Sequence, residues 1–135
     1  SAGCPMIVHA VPGEPDFKGD PGRVKMTRPE VFYAKGYALA AAVHRPLDPL
    51  AGRRAAVKAL EVYRRGTLFD YDFDDSDTTR MYCTELIVHA YSFAGIELTD
   101  DKHHEVNLPL VNYRCILPSQ LSHSDKLKLI YMYNP

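Results

Sequence analysis

The chain has 135 residues, a length that suits one domain able to bury about two-thirds of its unfolded surface. Its 46% hydrophobic and 24% charged residues give the composition of a globular protein and exclude a disordered or fibrous one. Sixteen Lys and Arg against seventeen Asp and Glu, a formal net charge of −1, exclude the global positive field that would gather nucleic acid or anionic lipid.

Residues 5–10 (PMIVHA) are apolar and β-branched and stop at Val-Pro-Gly, which predicts a strand followed by a loop over 12–22. A short strand is expected at 23–26. A helical turn follows at 27–30, with Thr27 as cap and Pro29 early in the turn. Residues 37–44 (YALAAAVH) alternate at period two and predict a strand ending at Arg45-Pro46.

The clearest helix covers 48–65, with Asp48 as N-cap, Pro49 at the first helical position and Gly66 as the stop. Leu50, Val57, Leu60 and Tyr63 form its apolar stripe; Arg53, Arg54, Lys58, Glu61 and Arg64 lie largely off it. Residues 68–79 (LFDYDFDDSDTT) are acidic, aromatic and irregular. A second helix is expected over 80–94, closed by Gly95, with Cys83, Leu86, Ile87, Ala90 and Ala94 on its apolar face. Beyond it come a charged loop at 99–105 and one or two strands within 106–117, interrupted by Pro109. A turn at 118–122 and a final strand at 127–133 complete the pattern. No repeat, linker or low-complexity tract interrupts it. The expected architecture is a single α+β domain over residues 1–135, its helices packed with an antiparallel sheet.

No apolar run is long enough for a transmembrane segment, and the opening residues do not read as a secretory leader. Cys4, Cys83 and Cys115 make no disulfide framework and no zinc-type Cys-x-x-Cys pair, so cell envelope and cytoplasm are both compatible. Neither a metal nor a cofactor is expected. His103 and His104 are adjacent, with no cysteine near, and the acidic run lacks the glycine and terminal glutamate of a calcium loop.

Cys83 carries most of the functional signal. A thiol in the first turn of a helix feels the positive end of the helix dipole, which favours thiolate. First-turn N–H groups there can hold an oxyanion on an attacked carbonyl. The competing reading is a packed core cysteine, since Cys83 falls on the apolar stripe and free cysteines are usually buried. Nucleophilic catalysis needs a histidine. His44, His103, His104 and His123 read as surface groups, and His89 lies on the far side of the helix from Cys83. His9 stands apart, an imidazole within an apolar strand. It is either a satisfied core group or a ring held in fixed orientation.

Tyr71-Asp-Tyr-Asp-Phe, then Tyr82-Cys83-Thr84-Glu85-Leu86-Ile87, and a helix ending Ala94-Gly95-Ile96 resemble the circularly permuted papain-like NlpC proteins of the YiiX/YebB-like group. The Ile7-Val8-His9-Ala10 run resembles that group's second barrel strand, and Ile116-Leu117-Pro118-Ser119-Gln120-Leu121 its closing block. The resemblance implies a small antiparallel sheet or partial barrel against the nucleophile helix. It also implies a cysteine peptidase or amidase that acts on a peptide or acyl small molecule such as a bacterial cell-wall peptide. Cys83 would be the nucleophile, and His9 falls where the group carries its imidazole-orienting residue. Tyr71 and Tyr82 would line the substrate groove, with core packing as the plain alternative, and Glu85 would be structural.

The group's His-Val-Gly strand, which bears the base, has no counterpart here. Three readings stay open: an N-terminally incomplete domain, His9 as the base, or a non-catalytic binding module. His103 is a rival base by the unpermuted order. A lipid thioesterase or acyltransferase using the same cysteine is the other enzyme class. Oligomeric state is not legible in the sequence.

Overall fold

The computed structural model describes residues 4–12, 17–34, 41–74, 76–99, 104–107, 112–116 and 118–133. Among them the order is β1 (Ile7–Val11), β2 (Arg23–Thr27), α1 (Pro29–Phe32), β3 (Ala41–Pro46), α2 (Pro49–Arg64) and β4 (Leu68–Phe69). It continues with β5 (Arg80–Met81), α3 (Cys83–Phe93), β6 (His104–Asn107), β7 (Asn112–Cys115), α4 (Pro118–Ser122) and β8 (Leu127–Tyr133). The fold is α+β, as expected. No helix among the described residues is long and apolar enough to cross a membrane.

Helix α2 begins where its sequence directs. The Asp48 carboxylate accepts the Leu50 N–H at 3.0 Å, with Pro49 at the first helical position, and Gly66 follows with φ of 75°. Its buried face differs from the expected one. Ala51, Ala55 and Val62 are buried, while Leu50 and Val57 are exposed. Alanines let α3 approach α2 closely, so the small residues form the seam and the larger ones stay in solvent. Thr27 is not the cap of α1; it ends β2, and Arg28 occupies the cap position without a side-chain bond.

Strands β1 and β2 pair antiparallel, with His9 opposite Lys25 and Ala10 opposite Val24. Strand β2 pairs antiparallel with β4, but β4 and β5 run parallel, Leu68 opposite Arg80 and Phe69 opposite Met81. The sheet order β1-β2-β4-β5 is therefore mixed rather than purely antiparallel. A parallel neighbour needs a long return connection, and the acidic segment between β4 and β5 supplies it. The buried Asp70 carboxylate organises its start by accepting the N–H groups of Asp72 at 2.9 Å and Asp74 at 2.6 Å. Phe73, between those two donors, is held at φ of 53°, a left-handed conformation that a bulky residue adopts only when its surroundings impose it.

Strands β3 and β8 form a separate antiparallel ribbon with a register shift at Val43/His44, and β6 and β7 form a hairpin. Strand β8 matches its expected range. Strand β3 runs through Pro46, past the expected end, while the expected 37–40 portion lies outside the described residues. The expected turn at 118–122 is helix α4, started by Pro118 and anchored by buried Leu121. One core cluster joins Ala10 and Val24 to Val62, Phe69, Met81, Tyr82, Leu86 and Ile116.

Candidate nucleophile site

Helix α3 starts later than its periodicity suggests, because Arg80 and Met81 are extended as β5. Cys83 thereby becomes the first helical residue and is exposed. The buried face of α3 is Thr84, Glu85, Leu86 and Ala90. The expectation of Cys83 on the apolar stripe is corrected accordingly, with Ile87 likewise exposed.

The residues around Cys83 are fixed from several directions. The Leu86 N–H donates to the Tyr82 carbonyl at 3.0 Å as the first rung of the helix, so the N–H groups of Cys83, Thr84 and Glu85 precede the ladder. Glu85 at N3 turns back, its carboxylate accepting the Tyr82 N–H at 3.1 Å, one half of a capping box. Arg80, a suggested partner of Glu85, instead donates to Asp77 and Asp72, each at 3.1 Å.

Tyr82 and Thr84 both reach one distant backbone unit. The Tyr82 hydroxyl accepts the Ile116 N–H at 3.2 Å, and the Thr84 hydroxyl donates to the Ile116 carbonyl at 2.6 Å. The Tyr82-Cys-Thr-Glu-Leu block and the segment before Pro118 are thus bonded to each other. The sequence offered only their order as a sign of this. Within the block, Cys83 alone is exposed; its four neighbours are buried.

Tyr82 has 2% of its surface exposed and packs against the Phe73 ring, centroids 5.1 Å apart. It braces the site and does not face a groove, as the plain packing alternative has it. Tyr71 is 52% exposed, with its hydroxyl donating to the Pro12 carbonyl at 3.1 Å and its ring edge-on to Phe69. That hydroxyl passes close over Gly22, where φ is 87° and an added Cβ would stand 2.8 Å from it.

His9 Nε2 lies 2.8 Å from Thr27 Oγ1, and its ring meets Phe32 edge-on at 5.1 Å. Ala10 lies in the core and Val8 packs against it, so strand alternation turns His9 to the other face of β1. His89, on α3, is half-buried, with Nε2 lacking a hydrogen-bond partner and its ring against Phe93. Burial, then the charges of Lys58 and Arg65, push its pKa below the ordinary value, against the opposing pull of Glu61. His103 lies outside the described residues, as does the side chain of Cys115.

The described aspartates of the acidic segment are taken up locally. Bonds from Ser76 hold Asp74, and bonds from Thr79 and Arg80 hold Asp77, below the usual carboxylate range. Among the described residues, no three His, Cys, Asp or Glu side chains come together as a metal-ligand set. A groove of about 830 Å³ opens between β1, α2 and α3, walled by Ala55, Ala59, Leu60 and Leu86, with Arg28 and Arg64 among its lining. His9, Tyr71, Tyr82 and Cys83 do not line it.

Among solved structures, the chain is similar to the metalloprotein yiiX from Escherichia coli O157:H7, described as DUF1105. The TM-score is 0.61 at 19% identity, covering 83% of this chain and 72% of that one. The two share a fold. No protein-family model matches the chain, and no curated protein matches it.

Proposed function

We propose that this chain is a cysteine hydrolase of the permuted papain-like kind, cleaving an amide bond through a thioester on Cys83. The observation that carries this reading is the contrast within one motif, where four residues are buried and the thiol between them is open to solvent. A structural cysteine has no need of that exposure, whereas a nucleophile does. The fold shared with yiiX agrees with the resemblance in the sequence, and a bacterial cell-wall peptide is the substrate that resemblance suggests.

In this mechanism the Cys83 thiolate adds to the substrate carbonyl. The N–H groups at the start of α3 would hold the oxyanion. An imidazole takes the thiol proton and, as imidazolium, gives it to the amine that leaves when the adduct collapses; water, deprotonated by the same imidazole, then hydrolyses the thioester. His9 is the proposed imidazole, with its ring orientation set by Thr27 and Phe32.

The test is alkylation by iodoacetamide, followed by peptide mapping. Cys83 should react at least about tenfold faster than Cys4, which is also exposed. Equal rates would overturn the reading. His9→Ala should slow the Cys83 rate and shift its pH profile. An unchanged profile assigns His9 a purely structural part on the far face of β1.

A second enzyme reading, an acyl thioesterase or acyltransferase, draws on the groove. Its wall includes Leu86 and Ile87 from the nucleophile's own helix. Turnover that rises with acyl-chain length on p-nitrophenyl esters would favour it over the amidase.

A further inference from the structure

Asp70 and Phe73 have no part in the chemistry above, yet the segment that carries them reaches the residue before the thiol from two directions. Asp70 is fully buried. Each of its carboxylate oxygens accepts a separate backbone N–H, Oδ1 that of Asp72 and Oδ2 that of Asp74. Its own N–H donates to the Met81 carbonyl at 3.2 Å, on the peptide unit that leads into Tyr82. Phe73 stands between the two N–H donors at φ of 53°, and its ring lies against that of Tyr82, centroids 5.1 Å apart. A turn that only connected β4 to β5 would have no need of a bulky residue there, since glycine or asparagine takes up a left-handed backbone at little cost. What Phe73 supplies and they lack is a ring, and that ring meets the neighbour of Cys83.

We propose that Asp70 and Phe73 are positioning residues for Cys83, acting through Tyr82. This role rests on the reading of Cys83 as the nucleophile. Tyr82 is the N-cap of α3, and its carbonyl accepts the first rung of the helix from Leu86, so its placement sets the first turn and the direction in which Cys83 leaves it. The Glu85 carboxylate holds its N–H and the Ile116 N–H holds its hydroxyl. Asp70 governs the remaining two contacts. Its backbone N–H fixes the peptide unit before Tyr82, and its carboxylate holds the loop that presents the Phe73 ring. An exposed thiol on the first helical residue would otherwise share in the fraying of the helix end.

Iodoacetamide rates at Cys83 across pH, with Cys4 of the same protein as reference, test this. Phe73→Asn suits the left-handed backbone but lacks the ring. It should stay folded and react at Cys83 at least about tenfold more slowly, with a pH profile moved toward that of Cys4. Phe73→Tyr keeps the ring and should keep the rate. Asp70→Asn leaves one carbonyl oxygen for two N–H donors and should slow Cys83 likewise; the two Phe73 variants decide if that buried change does not fold. A role confined to stability would lower the melting temperature and leave the relative rates of the two thiols unchanged well below it. An unchanged Cys83 rate in folded Phe73→Asn overturns the proposal while the nucleophile survives, and so does equal slowing in Phe73→Tyr. In the unmodified chain, a Cys83 no faster than Cys4 overturns both, so the two failures are told apart by the protein that shows them.

Discussion

Glu85 is a carboxylate with 8% of its surface exposed, and it accepts the Tyr82 N–H at the start of α3. Removing that acceptor strands a donor at a buried helix start. Glu85→Ala should therefore cost about 1 kcal/mol and lower the melting temperature by about 4 °C, measured by calorimetry. Glu85→Gln keeps an acceptor and should recover most of the loss. Thr84→Val is a sharper test of the brace. It retains shape but deprives the buried Ile116 carbonyl of the Thr84 hydroxyl, for an expected cost of about 1–2 kcal/mol. If the brace also positions the thiol, the same variant slows Cys83 alkylation in a protein that is still fully folded at the assay temperature.

The seam between α2 and α3 holds an element-scale pH response. His89 faces Lys58, Glu61 and Arg65 across it. Lys58 also pairs with Glu61 at 2.9 Å and sits 3.7 Å over the Phe93 ring. The folded state holds the His89 pKa below its unfolded value, so the contribution of neutral His89 is fully present above about pH 6.5 and is lost as pH falls through the folded value. Thermal melts should show stability declining on acidification below that point, with a smaller decline in His89→Leu. Equal pH dependence in the two proteins would remove His89 from the account. The same two helices show how far the sequence could be read. Asp48, Pro49 and Gly66 mark α2 with local signals, and all three act as their chemistry predicts. Helix α3 starts three residues later than its periodicity predicts because β5 is a two-residue strand whose pairing partner, β4, lies across the acidic segment. No local pattern announces a parallel bridge of that size. The difference takes Cys83 from the expected apolar stripe to the exposed first position of the helix.

At the scale of the whole chain, the fold is shared with yiiX, and Ile87, one turn along α3 from Cys83, lines the groove that Cys83 itself does not. A Cys83→Ser protein should keep its melting temperature within about 1 °C, because an exposed side chain contributes little to stability. Any hydrolysis that depends on this residue should vanish in the same protein. Both parts are read from one purified sample. The bonds from Tyr82 and Thr84 to Ile116 span more than thirty positions, so the start of α3 is braced only once Ile116 has been made. During synthesis, a nascent chain extended through Gly95 would carry the sulfur without its support. Cys83 is thus joined to the chain well before the hydrogen bonds that brace its helix start can form, and this end of α3 becomes ordered late in synthesis.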